Sequence, residues 1–267
     1  MSKQSQLETW SKYQQLDILT NTYNSVRNTI LTLKLPNEER FEVPYLQGSY
    51  GNKTHIWSKS DIDIVVQLDS IFRSNLNLQA KANAGFLTAI YSLDLFVDDL
   101  YKFLVERYGY NYITLGNKTI KIKERFGRKA VDIVPCIQYR NYINPNNANS
   151  KFYEGIILKN GIHNFPKIHM INGIEKRAYT NNMYKKYIRI FKNFRKKIQG
   201  DFPSYFIECL LYNVPNSNFD ITLTIGFENI INWLNSQTDW SKFICQNNIT
   251  NLSGLESTQW QEYQDKL

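Results

Sequence analysis

The sequence predicts an α+β protein in two lobes, a mixed β-sheet core lobe opened by a long spine helix and a helical lobe after it. Three observations carry that expectation. Apolar and polar residues alternate over 61–66 and 131–134, the period of strands. Apolar stripes at steps of three and four recur over 16–33, 86–104 and 184–198, the period of helices. The last strand signal ends at Leu158, and only helical patterns follow. The 267 residues suffice for one large or two modest domains. The lobe boundary is placed near Phe165, giving 1–165 and 166–267.

Ser5-Gln6-Leu7-Glu8 reads as a capping box opening the spine helix. Leu16, Leu19, Tyr23, Val26, Ile30 and Leu33 form its stripe, and Pro36 ends it. A short strand from Phe41 to Leu46 delivers the chain to Gly48, where the missing Cβ lets backbone N–H groups approach an anion. Ser49 adds a hydroxyl, and a helix beginning near Tyr50 would turn its N-terminus toward the same anion. Residues 82–108 read as a second long helix with Phe86, Ile90, Leu93, Val97, Leu100 and Leu104 inward and Gly109 as C-cap. Asp94, Asp98 and Asp99 fall on its solvated face. A strand pair follows, 118–123 turning at Gly127 into 129–137, with the lysines of its first strand on a solvated face. Phe152 to Leu158 closes the sheet.

In the second lobe a helix runs from Thr180 to about Gln199. Tyr184, Ile188, Phe191 and Ile198 form its apolar stripe, and Lys185, Arg189, Lys192 and Lys196 occupy another face. No acid lies between Lys176 and Gln199, so this face calls for a polyanion. Phe202-Pro203-Ser204-Tyr205 then caps a helix reaching Tyr212. Residues 219–267 read as two or three amphipathic helices around Trp233, Leu234, Trp240, Phe243 and Trp260.

The chemistry concentrates in Ser60-Asp61-Ile62-Asp63-Ile64-Val65-Val66 and Lys129-Ala130-Val131-Asp132-Ile133-Val134-Pro135. On a strand Asp61 and Asp63 share one face. Two carboxylates so close repel unless a cation lies between them, and hard divalent ions take oxygen ligands in this way while leaving positions for phosphate. Asp132 is a third charge in an apolar strand. Three in-sheet aspartates behind a Gly-Ser turn fit two-metal phosphoryl transfer.

Gly-Ser, then Asp-Ile-Asp, then a later strand aspartate resembles the polymerase-β-like nucleotidyltransferase superfamily. The fuller pattern, QGSYGNKTHIWSKSDIDIVV followed by VDIVPC, is similar to the bacterial cGAS/DncV-like nucleotidyltransferases, which make cyclic oligonucleotide messengers in anti-phage (CBASS) defence. The stretch from FPKIH to SYFIE resembles the same family, and the likeness covers most of residues 5–213. It implies a two-lobed polymerase-β-like fold whose helical lobe closes a nucleotide cleft. It also implies Asp61, Asp63 and Asp132 as catalytic metal ligands for two Mg²⁺ ions, with Mn²⁺ able to substitute. Gly48, Ser49, Lys192 and Ser204 would hold a donor triphosphate such as ATP or GTP, and Tyr205 would stack on its base. Lys185, Lys186 and Arg189 stay rivals to Lys192. The implied reaction joins nucleoside triphosphates with loss of pyrophosphate, and a cyclic-nucleotide-sensing effector would act downstream. Two alternatives stay open: transfer to a small molecule, RNA or protein acceptor, and a catalytically silent nucleotide- or RNA-binding module.

A net charge of +8 favours polyanionic partners, for which nucleotides suffice and nucleic acid is compatible without being required. Cys136, Cys209 and Cys245 lie far apart in apolar settings and read as buried free thiols, and no Cys/His spacing suits zinc. His163 and His169 read as surface or hydrogen-bonded residues. No apolar run has the length of a signal peptide or a membrane span, so a cytoplasmic monomer is the expectation.

Overall fold

The structure, a computed structural model, describes residues 2–13, 16–56, 61–198 and 202–252. Trp260 of the expected C-terminal helices lies outside them. The chain folds as two compact units and passes between them three times before the crossing at 166, rather than once at 165. One unit is Gln15–Gln47 with Asp61–Pro166, and the other is Met1–Gln14 with Gly48–Ser60 and Lys167–Leu267.

The first unit is built on a mixed sheet. Its strands are β1 (Tyr45–Gln47), β2 (Ile62–Ser74), β3 (Ile113–Leu115), β4 (Ile120–Ile122), β5 (Val131–Tyr142), β6 (Phe152–Leu158) and β7 (His163–Asn164). The order β1-β2-β5-β4-β3 puts the two long strands side by side and parallel, and β6 pairs with the far half of β5. Ile62, Ile64, Val66 and Leu68 are fully buried on one face of β2, and Val65 joins Val134, Cys136, Ile156 and Leu158 in a second cluster on the other. A strand apolar on both faces belongs at the centre of a sheet. Helix α2 (Asp17–Ile30) packs on β2 through buried Leu19, Val26 and Ile30, and Thr22 accepts a hydrogen bond from the Lys129 backbone.

Two long helices expected from periodicity are interrupted. The expected spine is two helices, α1 (Lys3–Ser11) and α2, which belong to different units. Ser2, not Ser5, caps α1 by accepting from the Ser5 N–H. Helix α1 stops where Arg189 Nε donates to the Ser11 carbonyl at 2.8 Å, satisfying a group that another turn would have used. Similarly, 82–108 contains α4 (Leu78–Asn83), a turn at Gly85, and α5 (Leu93–Tyr108). The Ser92 hydroxyl caps α5 by accepting from Leu95, so Phe86 and Ile90 fall outside the helix and are exposed. The other end matches expectation, because Gly109 takes a φ of 89° that other residues resist.

The second unit is helical. Its elements are α1, the single turn α3 (Gly48–Gly51), α6 (Pro166–Tyr179), α7 (Tyr184–Lys197), α8 (Ser204–Asn213) and α9 (Leu223–Asn235). The FPKIH segment holds the crossing at 166 and starts α6, with Pro166 as its first residue. Tyr187, Phe206, Ile207, Leu211, Ile230 and Leu252 are among the core residues, and Leu7 of α1 joins them. Helix α7 is buried beyond its apolar stripe: Lys185, Arg189 and Lys192 are buried with Tyr184 and Ile188, whereas Ile198 is exposed. Those three basic residues are therefore not a solvated stripe, whereas Lys196 is exposed.

Candidate active site

The candidate residues fall into two groups, one in each unit. In the sheet unit, register places Asp63 of β2 beside Asp132 of β5, and Asp61 lies two residues back on the same face. Beyond them this face is closed by Val65, Val134 and Cys136, so the acids mark the edge where apolar cover ends. Burial, then Asp132 and Asp61, push Asp63 up to about 7. Burial also raises Asp132, against the pull of Lys121.

Lys121 is the cation of this face, and the expectation of a merely solvated lysine is corrected here. Strand β4 pairs antiparallel to β5 with Lys121 opposite Asp132. Its Nζ lies 3.0 Å from Asp61 Oδ2 and 3.8 Å from Asp132 Oδ1. Alternation with Ile120 and Ile122 was the available signal, since it fixed the face Lys121 would share once the hairpin joined β5.

Lys121 does not settle the charge. Among the described residues three carboxylates face one ammonium, and the buried Asp132 Oδ1 has no hydrogen-bond partner. Among the described residues no three His, Cys, Asp or Glu side chains already close on one point. All-oxygen donors, a surplus of negative charge and an orphaned carboxylate oxygen fit a hard divalent cation, with Lys121 standing where positive charge is needed.

The second group surrounds Glu208 of α8. Gly48 adopts φ 66° after β1, and the turn folds back so that the Ser49 carbonyl accepts from the Thr54 N–H at 2.9 Å. Lys192, 1 % exposed, places Nζ 2.6 Å from Glu208 Oε1 and 3.2 Å from both the carbonyl and hydroxyl oxygens of Thr54. Thr54 Oγ1 also donates to Oε1, at 2.5 Å. Asn52 Nδ2 donates to Oε2 at 3.2 Å, and His169 Nε2 lies 3.1 Å from it. Burial alone would raise Glu208, but the Lys192 charge and then His169 overrule it and hold the carboxyl well below its usual range. In this structure Lys192 is thus an internal ion pair.

Ser204 opens α8 and is half-buried. Tyr205 is 41 % exposed and stacks on His169, with ring centroids 5.2 Å apart and planes 26° from parallel. Glu208 and His169 had no functional reading in sequence. Glu208 sits amid apolar helix residues, and a buried acid three positions after Tyr205 was the signal that could have found it.

Compared with known proteins, the chain is 39% identical to the cyclic UMP-AMP synthase of Rhodothermus marinus over 97% of its own length and 92% of that protein. The chain belongs to the cGAS/DncV-like nucleotidyltransferases. The model of the C-terminal helical domain of these nucleotidyltransferases matches residues 171–266. A cyclic nucleotide synthase of Staphylococcus haemolyticus is 38% identical over 86% of the chain and 82% of its own length. The solved Rhodothermus marinus c-UMP-AMP synthase, bound to Apcpp and Upnpp, superimposes on this nucleotidyltransferase with a TM-score of 0.84. That match, 38% identical, covers 94% of this chain and 88% of the other. The mixed sheet and helical unit described above are thus those of the family. No helix among the described residues is long and apolar enough to cross a membrane.

Proposed function

We propose that this nucleotidyltransferase joins two nucleoside triphosphates into a cyclic dinucleotide, releasing pyrophosphate at each bond formed. The observation that carries this is the acid face: Asp61, Asp63 and Asp132 in register on neighbouring strands, with more negative charge than Lys121 balances. A protein that only bound phosphate would gain nothing from three acids facing its ligand. Asp61, Asp63 and Asp132 would hold Mg²⁺, which supplies Lewis-acid polarisation of a phosphoryl oxygen when bound. In each step a ribose hydroxyl oxygen bonds to the α-phosphorus of the donor, the bond from that phosphorus to the β-phosphate oxygen breaks, and pyrophosphate leaves with its electrons. The hydroxyl proton passes to Asp132, which stands beside Asp63 on the neighbouring strand. Gly48, Ser49 and Ser204 hold the triphosphate, and Tyr205, braced from behind by His169, offers its ring to the donor base. Little covalent work falls to the protein, so positioning and charge neutralisation carry the rate.

The relative similar over nearly the whole chain makes cyclic UMP-AMP, so ATP with UTP is the first pair to examine. The product would act as a messenger to a nucleotide-sensing effector in anti-phage defence. Incubation of the protein with single and paired triphosphates and Mg²⁺, followed by mass analysis, should give a cyclic dinucleotide with no added acceptor. Product that forms only when a small molecule, RNA or protein is supplied would replace this function by transfer to that acceptor.

A further inference from the structure

Strand β2 runs well past the strand that covers its outer side. Strand β1 pairs with it over 63–65. The chain before β1 follows the same side a little further, with the Glu42 N–H donating to the Gln67 carbonyl and the Asp69 N–H to the Arg40 carbonyl. Over 70–74 nothing among the described residues pairs with β2 on that side, while β5 holds 72–74 from the other. A cavity of about 470 Å³ lies along this stretch, lined also by Lys81 of α4 and residues 86–89. Leu87, Thr88 and Ala89 likewise make no backbone hydrogen bond among the described residues. The Phe86 ring meets Phe72 edge to face, with centroids 5.1 Å apart. Leu87 is 95 % exposed and Ile90, just beyond it, 94 %. An open edge is ordinarily blunted by charge or covered, and here the charge of Arg73 is accompanied by exposed apolar side chains that work the other way. Arg73 and Lys81 have no ion-pair partner among the described residues, and no acid lines the cavity. Arg140, opposite Ser74 on β5, adds a third cation 3.7 Å above the Phe72 ring.

We propose that this cleft takes an extended, acidic segment of a partner protein, added as a strand to the open edge of β2 at 70–74. Unpaired main-chain groups of both 70–74 and 87–89 call for an occupant that brings free N–H and C=O groups of its own, which a helix has already spent internally. Ile71, Phe72, Phe86 and Leu87 offer apolar contact to every second side chain of such a strand, and Arg73 with Lys81 selects carboxylates at the others. A second copy of this chain would bring the same cations, so pairing edge to edge would set like charge against like. Phe72 lies nine residues beyond Asp63 on the same strand, roughly 30 Å at the rise of a β-strand, so the occupant leaves the acid face open. The inference therefore stands independently of the function proposed above.

The test measures binding of three synthetic heptapeptides by fluorescence anisotropy: alternating glutamate and valine, the same with proline in place of the central valine, and alternating lysine and valine. Wild type should bind the first, bind the proline peptide roughly tenfold or more weakly because an N–H needed for pairing is gone, and ignore the third. Arg73→Glu/Lys81→Glu protein should reverse the charge preference and take the lysine peptide, while its pyrophosphate release from triphosphates stays that of wild type. Hydrogen exchange should slow over 70–74 and 87–89 when the glutamate peptide is added. Wild type with the three peptides decides alone if the double variant fails to fold. Failure of the glutamate peptide to bind, equal affinity for the proline peptide, an unchanged charge preference in a folded double variant, or slowed exchange elsewhere instead would overturn the site. Dimerisation of wild type without peptide, with exchange slowed over 70–74, would make a second copy the occupant and overturn the acidic partner.

Discussion

Asp63 shows what one residue costs when it is placed for chemistry. Its folded-state affinity for protons is raised, so ionising it opposes folding. The penalty is absent below the unfolded value near 4, grows as pH rises, and is complete above about 7. At ~1.4 kcal/mol for each tenfold change it reaches up to about 4 kcal/mol. Asp63→Asn should therefore be more stable than wild type, by a margin that widens from about pH 4.5 to about pH 7 and then levels. Mg²⁺ should narrow that margin by favouring the ionised form in the wild type. Urea unfolding across this range, with and without Mg²⁺, checks both statements, and a margin independent of pH and metal would remove the electrostatic account of the acid face. The carboxylates themselves were legible in the sequence, because strand period and the cost of a charge beside apolar neighbours are local properties. Lys121 was not, since its partner Asp61 is 60 residues away and depends on how β4 meets β5.

At the scale of elements, α7 and α8 are tied through Lys192 and Glu208. Removing one member of a buried ion pair leaves the other charged and uncompensated, at a cost of about 3–5 kcal/mol. Lys192→Ala should lose stability on that scale, while Lys196→Ala, on the exposed last turn of α7, should change it by about 0.5 kcal/mol or less. Because Glu208 holds its proton weakly, the contribution of the pair is present above the ordinary glutamate range and is lost on acidification. Denaturant titrations of the two variants decide it, and equal losses would contradict the buried pair. Kinetics of Lys192→Ala must be compared at matched folded fractions, since a raised KM alone would not separate phosphate contact from loosening of α7 against α8. Helix period in the sequence located α5, α7 and α8 but not the breaks. Caps decided those: Ser92 for α5, and Arg189, reaching Ser11 from 178 residues away, for the end of α1. Continuing apolar residues at helical spacing said nothing about either.

For the whole molecule, the order of motifs was the most readable feature. Gly-Ser, the aspartate pair and the later strand aspartate pointed to the family that similarity over 97% of the chain then established. The grouping of residues 1–14 and 48–60 with the C-terminal portion was not readable, because it depends on contacts such as Thr54 and Asn52 with Glu208. The central claim is that the acid face performs nucleotidyl transfer. Pyrophosphate release from ATP and UTP with Mg²⁺ tests it most directly, comparing wild type with Asp61→Asn/Asp63→Asn protein shown to be folded by circular dichroism. The account predicts release by wild type without an added acceptor and a loss on the order of 100-fold or more in the double variant. Release by the double variant at the wild-type rate would contradict it.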